Sequence, residues 1–189
     1  MPLSLDRLRV LRAATDGTMQ LPNGGALSGR AIFSAGLDAL GARSAADATP
    51  LLPLSRQGAD ADFRKFEAIV SFAQPLTEHL GIAVLARAQT SFNQALPRAE
   101  QLGIASFQEL STFDAGTLGG DSGWVVRAEV NSPWQMSLAG IPVSATPYAF
   151  AATGALYLHR ATAVEQATTH VSSIGLGLRL GATLDPSFS

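Results

Sequence analysis

Apolar and polar residues alternate with a period of two along most of the chain, as in β-strands with one apolar and one wet face. In Leu27 to Ala39 one parity reads Leu27, Gly29, Ala31, Phe33, Ala35, Leu37, Ala39, and the other carries Ser28, Arg30, Ser34 and Asp38. Asn23-Gly24-Gly25 precedes it and suits a hairpin turn, because Asn and Gly tolerate positive φ. Leu3 to Ala14 is then the preceding strand. Phe66, Ala68, Val70 and Phe72 oppose Lys65, Glu67 and Ser71, and this run ends at Gln74-Pro75-Leu76. Leu80, Ile82, Val84, Ala86 and Ala88 oppose Arg87, Gln89 and Ser91, which makes a hairpin with the previous strand. Farther on, Trp124, Val126, Ala128 and Val130 oppose Arg127, Glu129 and Asn131, and this run ends at Ser132-Pro133. Tyr148 to Leu158 and Val171 to Leu180 complete the set, the last with Ile174, Leu176, Leu178 and Leu180 opposite Ser173, Gly175, Gly177 and Arg179. The pattern predicts seven antiparallel strands with an eighth begun.

Two architectures share this pattern: a soluble sandwich or barrel with its apolar face inside, and a membrane barrel with that face towards lipid. Strands of about ten residues suit a tilted membrane span better than a soluble sheet. The polar parity carries Arg, Lys and Glu, as a water-filled lumen allows. Turns alternate between short (Pro75 to His79) and long (Gly41 to Asp62, Phe92 to Asp121), like the two ends of an outer-membrane barrel. Trp124, Trp134, Tyr148 and Tyr157 would then fit interfacial aromatic girdles.

Composition narrows the function classes. A net charge of −2 offers no basic footprint, so a nucleic-acid partner is not expected. The absence of cysteine removes disulfides, thiolate metal sites and cysteine nucleophiles. Met1-Pro2-Leu3-Ser4-Leu5-Asp6 has a charge where a signal peptide has its apolar core, and Leu184-Asp185-Pro186-Ser187-Phe188-Ser189 reads as a turn after a strand. The expectation is a piece of a longer barrel whose last strands are missing. Gly120-Asp121-Ser122-Gly123 resembles the nucleophile segment of trypsin-like proteases, but the continuation is Trp124-Val125, and only His79 lies upstream as a base. The better expectation is a loop end before a strand. His79, His159 and His170 lack metal-site spacing, and Gly36 to Gly41 is followed by Ala42-Arg43 where a phosphate loop needs Lys and Ser/Thr. No catalytic residue, metal site or cofactor is expected.

Five passages follow one another along the chain: Pro53-Leu54-Ser55-Arg56-Gln57-Gly58-Ala59 through Phe63-Arg64-Lys65, Leu96-Pro97 with Glu100-Gln101, Leu118-Gly119-Gly120-Asp121-Ser122-Gly123-Trp124, Pro147-Tyr148-Ala149-Phe150 to Gly154, and Ser173 to Arg179. In that order they resemble a loop-to-strand passage, the lid loop, the strand after it and two later strands of the hemolysin activator/secretion protein family, the outer-membrane transporters of two-partner secretion. The resemblance implies an all-β, antiparallel transmembrane barrel meander, about half of a 16-stranded barrel. Residues 1–189 would be the C-terminal part of that barrel, without the periplasmic domains. It further implies a pore in the bacterial outer membrane, lipid around it, and a large secreted exoprotein as the partner it conducts without covalent chemistry.

The lid departs from the family. Leu110-Ser111-Thr112-Phe113 stands where a Val-Arg-Gly-aromatic tip is usual, and Phe150 to Gly154 puts Ala152 where an aspartate is usual. Both members of the expected ion pair are gone, which costs far less than losing one. The resemblance places Leu110, Ser111, Thr112 and Phe113 at the lid tip, with Ser111 and Ala152 facing each other. By strand parity Arg127, Glu129 and Arg179 would line the lumen of a barrel or solvate the exposed face of a soluble sheet, and the resemblance adds Phe150, Ala152 and Gly154 to the lumen candidates.

Overall fold

The computed structural model describes residues 4–106, 108–114, 116–138 and 141–182. The turn-like stretch from Leu184 to Ser189, and Leu3 at the start of the first expected strand, lie outside the described residues. Among the described residues, eight strands form one antiparallel sheet that curls into half of a barrel. They are β1 (Val10–Gln20), β2 (Ala26–Gly36), β3 (Arg64–Thr77), β4 (Leu80–Thr90), β7 (Ser122–Asn131), β8 (Trp134–Leu138), β9 (Ile141–Tyr157) and β10 (Thr168–Ala182). A two-residue ribbon, β5 (Leu102–Gly103) with β6 (Gly119–Gly120), closes the neck of the loop between β4 and β7.

The meander is sequential, β1-β2-β3-β4-β7-β9-β10, with β8 beside the start of β9. Asn131 of β7 stands opposite Tyr148 and Trp134 of β8 opposite Ala145, so β7 and β8 form one wall segment interrupted at Ser132-Pro133. Proline has no N–H to give the ladder. Ser132 N–H bonds Pro147 O at 2.9 Å and holds the interruption to the neighbouring strand. β8 is therefore an extension of the fifth expected strand, missed because Pro133 looks like a strand end.

The first strand is shifted from its expected position. It runs Val10–Gln20, not Leu3 to Ala14: Asp16 and Gly17, residue types common in turns, sit inside the ladder opposite Arg30 and Gly29. The second strand ends at Gly36 instead of Ala39. A Cβ on Gly36 would come within 2.1 Å of Ala61 O and 2.5 Å of the Phe63 ring, so the long loop crosses there and ends the strand.

Parity separates the two faces of the sheet. Leu11, Met19, Phe33, Phe66, Val70, Val130, Ile174, Leu176 and Leu178 all lie on the outer parity and are exposed. The inner parity carries Lys65, Glu67, Gln89, Arg127 and Glu129, all buried. This inverts the soluble arrangement, in which an apolar face is hidden and charges meet water. Trp124 and Tyr157 lie on the outer face near the long loops, and Trp134 lies at the short-turn end, stacked on His79 with ring centroids 4.0 Å apart. Tyr148 does not join this girdle. Its parity turns it inward, where it lies over Gly177: a Cβ there would meet the ring carbons at 2.2 Å.

Candidate functional site

The loop between β4 and β7 folds back onto the inner face. Leu102, Ile104 and Leu110 from the loop pack against Val125 of β7 and Ala152 and Leu156 of β9, with Leu118, Phe150 and Val171 around them. This is the main buried apolar cluster of the described residues, and its burial pins the loop to the wall. The wall is shaped to receive it: a Cβ on Gly154 would stand 2.7 Å from Trp124 O and 3.2 Å from Ile104 Cδ1. Only glycine admits that close approach.

Leu110 to Phe113 forms a turn, in which Phe113 N–H donates to Leu110 O at 3.2 Å. Leu110 is fully buried, Thr112 and Phe113 are exposed, and Ser111 Oγ accepts from Arg127 Nη1 at 3.4 Å. Gln108 borders an open inner cleft together with Arg127, Glu129, Asn131 and Arg179.

Charge and hydrogen bonds hold the loop as well. Glu100, buried, pairs with Lys65 Nζ at 3.0 Å and with Arg12, and Lys65 also donates to Glu100 O at 2.8 Å. Arg87 bridges Glu67 at 3.0 Å and Glu109 of the loop at 3.4 Å, and Arg127 Nη1 reaches Glu109 O at 3.4 Å. Sequence reading had Lys65, Glu67 and Arg87 on the polar parity but gave them no role. Their loop partners, Glu100 and Glu109, lack any local signal that would join them to a distant strand.

Deeper on the wall, the inner-face residues Arg127, Glu129, Phe150 and Arg179 form one cluster. Arg179 donates to both Glu129 oxygens, at 2.6 and 2.8 Å, and Arg127 reaches Oε2 at 3.3 Å. The Arg127 guanidinium lies 3.6 Å from the Phe150 ring centroid and that of Arg179 lies 4.0 Å from Tyr148. Gly175 lies under Phe150 as Gly177 lies under Tyr148, which lets the rings lie flat on the wall. Ala152 stands directly across the ladder from Arg127.

The Gly120-Asp121-Ser122-Gly123 segment knots three loops together. Asp121 is fully buried and its Oδ1 accepts from Arg56, from Leu96 N–H at 2.9 Å and from Gln101 Nε2 at 3.2 Å. Its Oδ2 accepts from His159 N–H at 2.7 Å, and its carbonyl accepts from Gln89 Nε2 at 2.9 Å. Arg56 in turn donates to His159 O at 2.8 Å, while its Nε faces Glu165 at 4.0 Å. The Glu165 carboxylate accepts from Thr162 N–H at 2.8 Å and Thr162 Oγ at 3.0 Å, which holds its carboxyl below the usual carboxylate range. Gly123 is required by crowding, since a Cβ there would meet Ala155 O at 2.5 Å.

A histidine does approach Ser122, and it is the downstream one: His159 Nε2 lies 3.2 Å from Ser122 Oγ. Asp121 meets the backbone of His159 and not its ring, and Ser122 Oγ also accepts from Ser91 N–H at 3.0 Å. The roles of a nucleophile, a base and an orienting carboxylate are not assembled in that order. The contact ties loop ends together.

Comparison with known proteins agrees with this geometry. Among solved structures the chain is similar to CdiB from Escherichia coli, with a TM-score of 0.69 over 95% of this chain and 31% of that one, at 22% identity. That likeness carries the fold, and the chain spans about a third of CdiB's length. No curated protein sequence matches the chain. The signature of the haemolysin secretion/activation proteins matches residues 3–180, almost the whole chain. The chain therefore belongs to the ShlB/FhaC/HecB family of haemolysin secretion/activation proteins.

Proposed function

We propose that this chain forms part of the wall, together with the lid, of an outer-membrane pore that conducts a large partner exoprotein to the bacterial cell surface. The single observation that carries the reading is the inverted sheet. Its exposed outer face is apolar, and its inner face is charged and, where a loop from the same chain covers it, buried. An apolar outer belt suits lipid, and a polar inner face suits a hydrated passage. Family membership supplies the cargo class, a secreted protein, and the two-partner arrangement. The work is then passive: the wall binds and releases, the lid excludes traffic at rest, and no bond is made or broken. Asp121 and Arg56 would hold the long loops at one rim so that the lid has a fixed frame to swing from.

The test is secretion by a complete transporter carrying this sequence, expressed with its exoprotein in cells lacking their own. Cargo at the surface, read by protease shaving of intact cells, is expected only when the transporter is present. Cargo retained in the periplasm despite a folded, membrane-inserted transporter would refute the reading.

A further inference from the structure

The lid and the wall beneath it carry opposite charge. Inward-pointing cations on the strands are Arg12, Arg30, Lys65, Arg87, Arg127 and Arg179, against the carboxylates Asp16, Glu67 and Glu129, six against three. The lid brings two more carboxylates to this surface, Glu100 and Glu109, each only 5% exposed. Glu100 takes Lys65 and Arg12, and Glu109 takes Arg87. With the lid withdrawn, Lys65 keeps only Gln89 as a side-chain partner, at 3.3 Å, while Arg87 keeps Glu67 and Arg127 keeps Glu129. A cationic track would then run down the wall from Arg12 and Lys65 on the upper row, through Arg87, to Arg127 one strand further and one inner-facing row lower.

We propose that this track receives an extended acidic segment of the conducted polypeptide, and that Glu100 and Glu109 of the lid hold its place in the resting pore. The inference rests on the pore reading and adds a charge preference to it. The physical basis is the same for lid and cargo. A carboxylate brought to partly desolvated ammonium and guanidinium groups gains charge-assisted hydrogen bonds that a neutral chain does not. A polycation would meet repulsion over the same path. The lid thus competes with acidic cargo and yields to it by exchange, so that the wall cations are not left bare.

The experiment uses a complete transporter carrying this sequence, in planar bilayers of zwitterionic phospholipid, so that anionic lipid does not mask the charges. Probes are oligo-glutamate and oligo-lysine peptides, with open-pore selectivity read from reversal potentials in a salt gradient. An anion-preferring open pore, blocked by oligo-glutamate and not by oligo-lysine, is expected. Glu100→Gln with Glu109→Gln should open more often and be blocked at about tenfold lower oligo-glutamate, since the internal competitor is weakened. Lys65→Gln with Arg87→Gln should conduct but lose the block. Because removing Lys65 alone leaves Glu100 short of a partner, Lys65→Gln with Glu100→Gln provides a second variant in which both charges leave together, and it should be blocked less readily than Glu100→Gln alone. Equal block by both peptides, a cation-preferring open pore, or block untouched by loss of Lys65 and Arg87 would overturn the proposal while leaving a conducting pore. Absence of any conductance would overturn the pore reading itself.

Discussion

Asp121→Asn is the most informative single change in the loop frame. The carboxylate is fully buried and accepts from Arg56, Leu96 N–H and Gln101 on one oxygen and from His159 N–H on the other. Asparagine keeps the volume but removes the charge and converts one acceptor into a donor. If its NH2 replaces Oδ1 it faces three donors, so the amide should lie the other way and confront His159 N–H alone. Leaving one member of a buried ion pair uncompensated costs about 3–5 kcal/mol. Arg56 keeps the His159 carbonyl at 2.8 Å and Glu165 at 4.0 Å, which favours the lower end, about 3 kcal/mol. The loss should fall on the three loops before the strands, because Asp121 joins the loops while the ladders are independent of it. Urea unfolding in detergent, followed by Trp fluorescence, measures the magnitude, and limited proteolysis between Gly41 and Asp62 locates it. Arg56→Gln should cost a similar amount, and the double variant clearly less than the sum. Additive losses, or an Asp121→Asn variant within about 0.5 kcal/mol of the parent, would show that the knot is not a buried ion pair in energetic terms.

Leu110→Ala should empty a fully buried site between loop and wall at a cost of about 2–4 kcal/mol, seen as faster proteolysis of the lid and more frequent channel opening. Leu176→Arg, on the exposed outer face of β10, should impair membrane insertion by about 2–4 kcal/mol if that position lies near the bilayer midplane, as read by detergent-to-vesicle folding titrations. Ala152→Asp, directly across the ladder from Arg127, should couple favourably to that arginine by about 1–3 kcal/mol in a double-mutant cycle with Arg127→Gln. Adding Ser111→Arg should erode this coupling, because Ser111 already touches Arg127.

Strict alternation made the strands legible. A sheet with one apolar and one charged face alternates along each strand, and Ile174 to Leu180 or Trp124 to Val130 could be read face by face. The same rule failed where the local chemistry imitates punctuation. Asp16-Gly17 looks like a turn and lies mid-strand, and Pro133 looks like an end and is a kink. Tyr148 was placed with the interfacial aromatics by type, although its even position beside Phe150 puts it on the inner parity, so the pattern already contained the answer. The loop frame was illegible for a different reason. Asp121 receives donors from residues 56, 96, 101 and 159, and no local pattern connects four such distant positions.

The departure at the lid tip shows how far a family correspondence reaches without coordinates. If Ser111 and Ala152 are the two vacated ends of an ion pair, the correspondence alone leaves a carboxylate at position 152 without a cation. The wall supplies one, because Arg127 stands opposite Ala152 and reaches Ser111 as well, so a guanidinium already lies between the two positions. It comes from the strand instead of the lid. Once the cation belongs to the wall, an arginine on the lid would meet like charge, whereas an acidic residue there gains a partner. Glu100 and Glu109 are acidic, and their partners Arg12, Lys65 and Arg87 are strand residues. The charged contacts between lid and wall thus run one way, from lid carboxylates to strand cations, and an arginine at position 111 would stand against Arg127.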